Sequence, residues 1–182
     1  MPSRYDDELW ELVPREPGPP PAHLVEFVRG LGRLERALDA GCGDGRITAE
    51  LDASELTAAD VSRVALERAR PRLPGARVVE LEPDAPFPFD DGSFEAVLAV
   101  ETVEHVRDLQ LFLSEIRRVL VPGGELALTT PATAPLVSPG DPFSPHLRRF
   151  TRRSLRRALD ELGFEVGFLR SRRGTLLARA RR

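Results

Sequence analysis

The chain has 182 residues, enough for one domain with a full hydrophobic core. Its composition of 41% hydrophobic and 30% charged residues is typical of a globular domain and excludes a disordered chain. The net charge of −3 argues against a general attraction to nucleic acids or membrane surfaces.

The charges are unevenly distributed. Every cationic residue apart from histidine is an arginine, and twelve arginines but only three acidic residues lie from residue 146 onward. We interpret the arginine-rich stretch 148–157 as the solvated face of a helix, and recognition of an anionic partner is the alternative. We do not expect a nucleic-acid partner.

The single cysteine, Cys42, excludes an internal disulfide and is compatible with a reducing compartment. The acidic start of the chain lacks the apolar segment of a signal peptide. No run approaches the ~18 apolar residues that a membrane span needs. We therefore expect a cytoplasmic protein without a membrane partner.

The chain opens with an arm. Residues 1–13 carry apolar side chains that suit a short amphipathic helix or turn, and the proline-rich residues 14–21 exclude regular helix. We interpret residues 1–21 as an N-terminal arm and candidate lid, and residues 22–182 as one domain.

From residue 22 onward, helical and strand patterns alternate. The first half of the domain is predicted to contain a helix over 22–34, a strand at 36–39, a helix at 46–52, a strand at 56–61, a helix at 62–70 capped by Ser62, and strands at 76–81 and 94–100. The second half is predicted to contain a helix at 109–120, a strand at 125–130, a long loop at 131–145, a helix at 151–162 capped by Thr151, and strands at 164–169 and 175–180.

This alternation predicts an α/β fold, namely a single Rossmann-like, doubly wound domain. We expect a mostly parallel seven-stranded sheet in which the C-terminal hairpin contributes one antiparallel strand.

Gly41, Gly43 and Gly45 lie between the first strand and the helix predicted at 46–52. Glycine adopts positive φ angles and lets a ligand approach the bare backbone. A strand, a glycine turn and a helix N-terminus in this order direct backbone N–H groups toward a ligand. This glycine loop therefore predicts a site for a nucleotide-like ligand.

Five separated segments resemble the class I S-adenosylmethionine-dependent methyltransferases, in particular small-molecule enzymes of the ubiquinone and menaquinone pathways. The segments are LDAGCGDGRIT at 38–48, Asp60, FPFDDGSFEAVLAVETVEHV at 87–106, FLSEIRRVLVPGGELALTTP at 112–131 and HLRRFTRRSLRRALDELGFEV at 146–166. The resemblance implies S-adenosyl-L-methionine as cofactor and methyl transfer as activity.

The resemblance also implies which residues hold the cofactor. Asp60 would accept hydrogen bonds from the ribose hydroxyls, with Val61 beside it. The alternative for Asp60 is a favourable acid at a helix N-terminus. The methionine end would lie against Asp39, Ala40, Gly41, Cys42 and Gly43.

An NAD-dependent oxidoreductase is the nearest alternative, because such enzymes also carry an acid at the position of Asp60. The dinucleotide fingerprint G-x-G-x-x-G requires a third glycine where this chain has Arg46. This departure disfavours a dinucleotide site.

The adenine-binding acid of the family has two candidates here, Glu82 and Asp84. Pro83, which follows Glu82, has no N–H to donate to the ring, whereas Asp84 is followed by Ala85. Both candidates stay open, as does a solvated position for each.

Glu101, Glu104 and His105 follow the fourth strand, at the sheet edge where ligands bind. Glu101 and His105 are four residues apart, so one helical turn would bring them together. We assign Glu101 to the methionine amino group, and His105 either packs beneath the next helix or acts as a general base.

Two alternatives concern the same edge. His146 is a second catalytic candidate, because it follows the long 131–145 loop, and a surface position is its alternative. Glu101, Glu104, His105 and His146 would together suit a divalent metal, as in some related enzymes with an ExxEH element. We nevertheless expect no metal.

We therefore expect methyl transfer to an O or N atom of a small-molecule acceptor, with oxygen first by resemblance. The acceptor site would lie between residues 1–21, the 131–147 loop and residues 101–105. A catalytically silent cofactor-binding subunit is the second alternative, and the short chain suggests a partner chain or a homodimer.

Overall fold

The structure, a computed structural model, describes residues 4–15, 18–132 and 147–182. The helices are α1 (Arg4–Leu12), α2 (Ala22–Arg29), α3 (Arg63–Ala69), α4 (Leu109–Val119) and α5 (Arg152–Glu161). The strands are β1 (Arg33–Ala40), β2 (Asp52–Asp60), β3 (Arg77–Glu80), β4 (Phe94–Val100), β5 (Leu120–Pro131), β6 (Glu165–Arg172) and β7 (Thr175–Arg181).

The strands form one seven-stranded sheet in the order β3–β2–β1–β4–β5–β7–β6. All neighbouring pairs from β3 to β5 are parallel, whereas β7 runs antiparallel to both β5 and β6. The predicted fold class and the antiparallel strand of the C-terminal hairpin are thus confirmed. The strand order reverses between β1 and β4, and in such folds ligands bind beyond the carboxyl ends of the strands at this point.

Helices cover both faces of the sheet. Val97 and Leu98 are adjacent in β4 but belong to different core clusters, because successive strand residues point to opposite faces. The cluster of Val97 includes α4 and α5, and the cluster of Leu98 includes α2. The sheet is therefore fixed from both sides, and its carboxyl edge is left to form a site.

The helix predicted at 46–52 is wrong. The structure has a single 3-10 turn there, Thr48–Glu50, and Leu51 is already extended. Because β2 begins at Asp52, which pairs with Arg33, few residues remain between the glycine loop and the sheet. The glycine loop is therefore followed by a turn and not by the predicted helix N-terminus.

Three other element boundaries depend on local chemistry. Helix α2 ends at Arg29, earlier than predicted, and Gly32 at φ +73° leads into β1. Ser62 caps α3 as predicted, since its Oγ accepts from the Ala65 N–H at 3.2 Å. Thr151 likewise caps α5 by accepting from the Ser154 N–H at 3.1 Å.

Among the described residues, no helix is long and apolar enough to cross a membrane.

The packing of α4 yields a stability prediction. Ile116 is completely buried beneath the sheet, so Ile116→Ala leaves a cavity. We expect it to lower the free energy of unfolding by about 2–5 kcal/mol in urea denaturation followed by circular dichroism. Gln110→Ala, at an exposed position of the same helix, is the control and should change it by less than about 0.5 kcal/mol. Equal effects of the two substitutions would contradict this account of the core.

Candidate functional site

The glycine loop is held against the ends of two strands. The N–H groups of Gly41 and Cys42 donate to the Ala59 carbonyl at 2.8 and 2.9 Å. Gly41 has φ +91°, and a Cβ at this position would collide with the side chain of Thr102. Glycine is therefore required at position 41 by both the backbone angle and the close approach of the residues that follow β4.

Asp60 connects the end of β2 to the glycine loop. Its Oδ2 accepts from the Gly43 N–H at 2.8 Å and its Oδ1 from the Ser62 N–H at 2.9 Å. Burial raises the pKa of Asp60 to about 6, against the opposing effect of these two hydrogen bonds. Each carboxylate oxygen has a second lone pair, so Asp60 retains the capacity to bind hydroxyl donors.

Asp39, near the end of β1, is the second buried acid of this site. Its Oδ2 accepts from the Thr48 hydroxyl at 2.7 Å. Its Oδ1 is buried and has no hydrogen-bond partner among the described residues. Burial raises the pKa of Asp39 to about 6. A buried acceptor without a partner is costly, so this oxygen is suited to a ligand N–H.

The neighbouring sequence-predicted residues line the same edge without polar chemistry of their own. Ala40 is completely buried and Val61 is half-buried. Cys42 is buried, its Sγ–H points to the Gly43 carbonyl at 3.5 Å, and burial strongly raises the pKa of its thiol. A thiol in this environment is not activated as a nucleophile.

Glu101, directly after β4, has an unusual backbone. Its φ is +52°, in the left-handed region that side chains rarely adopt. Its N–H and its Oε1 both bind Thr129, the latter accepting from the Thr129 hydroxyl at 2.8 Å. Burial raises the pKa of the Glu101 carboxyl. Strained residues of this kind concentrate at functional sites.

Residues 103–105 form a turn, so Glu101 and His105 are not joined by a helical turn. The turn is closed by the His105 N–H, which donates to the Thr102 carbonyl at 2.9 Å. The carboxylate oxygen at ion-pair distance from His105 belongs to Glu104, with 3.9 Å between its Oε1 and the His105 Nε2. A turn, unlike a helix, places neighbouring side chains together here.

Glu104 is the main residue that the sequence interpretation undervalued. It is only 1% exposed, and its Oε2 accepts from the Thr130 hydroxyl at 3.0 Å. Its Oε1 has no hydrogen-bond partner within the described ranges. Burial, assisted by the charge of Glu101, raises the pKa of Glu104 to about 7. Glu104 can thus hold or release a proton near neutral pH.

His146 lies outside the described residues. Within 4–15, 18–132 and 147–182, no group of three or more His, Cys, Asp or Glu side chains is placed to hold a metal ion.

The two adenine candidates occupy different surroundings. Glu82 is exposed and lines a cleft of about 270 Å³ with Arg63, Glu80, Leu81 and Pro83. Asp84 has φ +54°, and its Oδ1 accepts from the Asp108 N–H at 3.3 Å, at the start of α4. Glu82 is therefore beside the ends of β2 and β3, whereas Asp84 is engaged with the α4 terminus.

The arm also reaches this site. Helix α1 packs on α3, and the ring of Trp10 lies on Gly43, where a Cβ would be 2.6 Å from the Trp10 Cζ2. The sequence alone did not predict this contact, although Trp10 is the only tryptophan of the chain.

Asp39 gives a pH-dependent prediction. The raised pKa means that the folded chain binds a proton at Asp39 more tightly than the unfolded chain does, so ionised Asp39 destabilises the fold above pH 6. Asp39→Asn removes this charge. We expect it to raise the free energy of unfolding by about 2 kcal/mol at pH 8, and the gain should disappear by pH 4.

Urea denaturation at both pH values measures this difference. Asp90→Asn, at an exposed position, is the matched control and should change little at either pH. A loss of stability at pH 8 for Asp39→Asn would refute the interpretation that the buried charge of Asp39 destabilises the fold.

Comparison with known proteins identifies relatives that are methyltransferases. The chain is 35% identical over 125 residues to an O-methyltransferase of Penicillium expansum, covering 64% of this chain and 44% of the relative. It is 36% identical over 135 residues to the demethylmenaquinone methyltransferase of Clavibacter sepedonicus, covering 72% of this chain and 51% of the relative. The matched part thus corresponds to about half of each relative.

A solved structure has the same fold. A solved S-adenosylmethionine-dependent methyltransferase from Aquifex aeolicus superposes with a TM-score of 0.73 at 18% identity, covering 98% of this chain and 99% of the other. The sequence profile of the methyltransferase domain family matches residues 38–128, which run from the end of β1 into β5. The chain therefore belongs to the methyltransferase domain family, the class I enzymes that use S-adenosyl-L-methionine.

Proposed function

We propose that this domain transfers a methyl group from S-adenosyl-L-methionine to an oxygen or nitrogen atom of a small-molecule acceptor. The observation that carries the proposal is the pair of buried acids, Asp39 and Asp60, on either side of a glycine loop that Asp60 holds in place. One relative is an O-methyltransferase, which favours oxygen as the acceptor atom.

The residues at the sheet edge fit the cofactor of the family. The Asp39 Oδ1, which has no hydrogen-bond partner within the described ranges, suits the ammonium group of the methionine part, and Asp60 suits the ribose hydroxyls. Ala40, Gly41 and Gly43 would contact the methionine part through backbone, with Glu101 at its amino end. Bound there, the cofactor supplies an electrophilic methyl group.

Glu82 is the better candidate for adenine. Glu82 lines a cleft together with the preceding residue, Leu81. The Leu81 N–H donates to the Asp60 carbonyl at 2.9 Å, so Glu82 is one residue away from a direct contact with the proposed ribose-binding residue. Asp84 is already used to bind the start of α4.

The chain's own contribution to chemistry would be proton removal from the acceptor. His105 is the proposed base: it would accept the proton of the acceptor O–H or N–H while the methyl carbon exchanges its bond to the sulfonium sulfur for one to the acceptor atom, leaving a neutral thioether. The Glu104 carboxylate, 3.9 Å from the His105 Nε2 and oriented by Thr130, would stabilise the resulting imidazolium. His146 remains a second candidate outside the described residues.

An acceptor with an apolar part suits the surroundings. In the described ranges, the two exposed large apolar side chains are Leu12, 82% exposed, and Leu147, 55% exposed. Leu12 belongs to the arm, and the Leu147 N–H donates to the Glu104 carbonyl at 2.8 Å. Both residues lie on the segments that the sequence assigned to the acceptor site.

The alternatives predict different ligands. In a dinucleotide site, the position of Arg46 would hold a glycine, whereas the Arg46 side chain here pairs with Asp44 and binds the Gly18 carbonyl. A silent cofactor-binding subunit, a partner chain or homodimer, and a cytoplasmic location remain predictions from sequence alone.

Isothermal titration tests the cofactor assignment. We expect heat of binding with S-adenosyl-L-methionine and none with NADH at ~100 μM protein, which detects dissociation constants to about that value. Asp60→Ala should weaken binding at least about tenfold, because it removes the proposed ribose acceptor and frees the Gly43 N–H. Asp90→Ala, exposed on the 82–93 loop, should bind as the parent chain does. Binding of NADH without binding of S-adenosyl-L-methionine would contradict the proposal and favour the oxidoreductase alternative.

Kinetics test the proposed base. With a panel of phenols, hydroxy acids and primary amines as acceptors, we expect His105→Ala to lower kcat by about 100-fold or more while the Kd for S-adenosyl-L-methionine stays within about twofold. Glu104→Gln keeps a partner for Thr130 but has no charge. It should lower kcat and move the acidic limb of the pH profile to lower pH, because the negative charge beside the His105 imidazolium is lost. An unchanged profile in both variants would eliminate these roles.

A further inference from the structure

The N-terminal arm is attached to the edge of the nucleotide site by its first turn. Asp7 Oδ1 accepts from the Ser62 hydroxyl at 2.7 Å and from the Val64 N–H at 3.2 Å. Ser62 directly follows the pair Asp60–Val61, so this contact fixes α1 beside the proposed ribose acid. The attachment uses a side chain of the arm and polar groups at the start of α3.

Trp10 then covers the glycine loop. Its ring lies against the bare backbone of Gly43, where a Cβ would be 2.6 Å from Cζ2 and 2.9 Å from Cη2. The guanidinium of Arg68 is 5.9 Å from the centre of the same ring, at the distance of a cation–π contact, and donates to the Val13 carbonyl at 2.9 Å. The ring is thus held between α3 and a backbone that has no side chain of its own.

Two further arginines bind the end of the arm to the same loop. Arg46 and Arg72 each contact the buried carboxylate of Asp44 at 3.1 Å. Both also donate to backbone carbonyls of the arm: Arg72 to Arg15 at 3.3 Å and Arg46 to Gly18 at 2.9 Å. Asp44 therefore organises two cations that hold the arm over Gly43.

We infer that the arm is a built part of the cofactor site, in which Trp10 forms the outer wall over Gly43 and shields the methionine end of bound S-adenosyl-L-methionine from water. This inference rests on the proposed function, since it takes the ligand of the glycine loop to be that cofactor. It adds a binding residue from outside the family-matched region 38–128.

The physical reason lies in what the arm offers the site. An indole presents a large, rigid, apolar surface with little side-chain entropy to lose, so it encloses a ligand effectively. Exclusion of water strengthens the charge interactions of Asp39 and Asp60 with a cationic ligand. The described part of the arm thus covers the glycine loop at Gly43.

Trp10 is also its own probe, because the chain has no other tryptophan. We expect saturating S-adenosyl-L-methionine to lower the quenching of Trp10 fluorescence by acrylamide, since a wall residue becomes enclosed on ligand binding. An increase in quenching would mean that the ligand expels the ring from Gly43, and would overturn the inference.

Binding by variants supplies the second readout. Trp10→Ala should raise the Kd for S-adenosyl-L-methionine about tenfold in isothermal titration, and Trp10→Phe should restore most of the affinity. Glu11→Ala, at an exposed position of the same helix, is the matched control and should bind normally. Unchanged or tighter binding by Trp10→Ala would refute the role of Trp10 as a wall of the cofactor site.

The arginine contacts that hold the arm are tested by a substitution away from the ligand. Arg72→Gln breaks the contacts to Asp44 and Arg15 and should weaken binding about threefold or more, whereas Arg70→Gln, exposed two residues earlier, should have no effect. Thermal unfolding of each variant confirms that the fold is intact. If the parent chain does not bind the cofactor, the proposed function fails; if it binds and the Trp10 and Arg72 variants bind equally, only this inference fails.

Discussion

The hydrogen bond from the Gly43 N–H to Asp60 Oδ2 is the contact on which the site depends. It joins the glycine loop after β1 to the end of β2, and the Ser62 N–H on the other oxygen joins the same carboxylate to α3. One side chain thereby fixes the relative positions of three elements. Because Gly43 remains bare, the arm can approach the loop backbone, and the ring of Trp10 does so.

Buried acids at the sheet edge explain why this arrangement is suited to a ligand and not to stability alone. Burial raises the pKa values of Asp39 and Asp60 to about 6 and that of Glu104 to about 7. Asp39 and Glu104 each keep an oxygen without a hydrogen-bond partner among the described residues. Charged or unpaired groups of this kind destabilise a folded domain until a ligand satisfies them, and such groups cluster at functional sites.

The sequence was sufficient for the fold and for the family because both depend on patterns that local chemistry enforces. Strand alternation, the caps Ser62 and Thr151, and the glycines of the loop appear in the structure where they were expected. The helix at 46–52 was wrong, since the early start of β2 at Asp52, a matter of sheet pairing, leaves room only for a 3-10 turn. The pairing of Glu104 with Thr130, 26 residues apart, and of Trp10 with Gly43 depends on tertiary approach, which no local pattern reports.

The most direct test of the account is a crystal structure of the chain with S-adenosyl-L-homocysteine, the demethylated product of the family's cofactor. We expect ribose hydroxyls on Asp60, the amino group at Asp39 or Glu101, and the methionine part along the glycine loop with the indole of Trp10 still on Gly43 as its outer wall. A ligand bound away from the glycine loop, or an empty loop with α1 unchanged over it at saturating ligand, would contradict it.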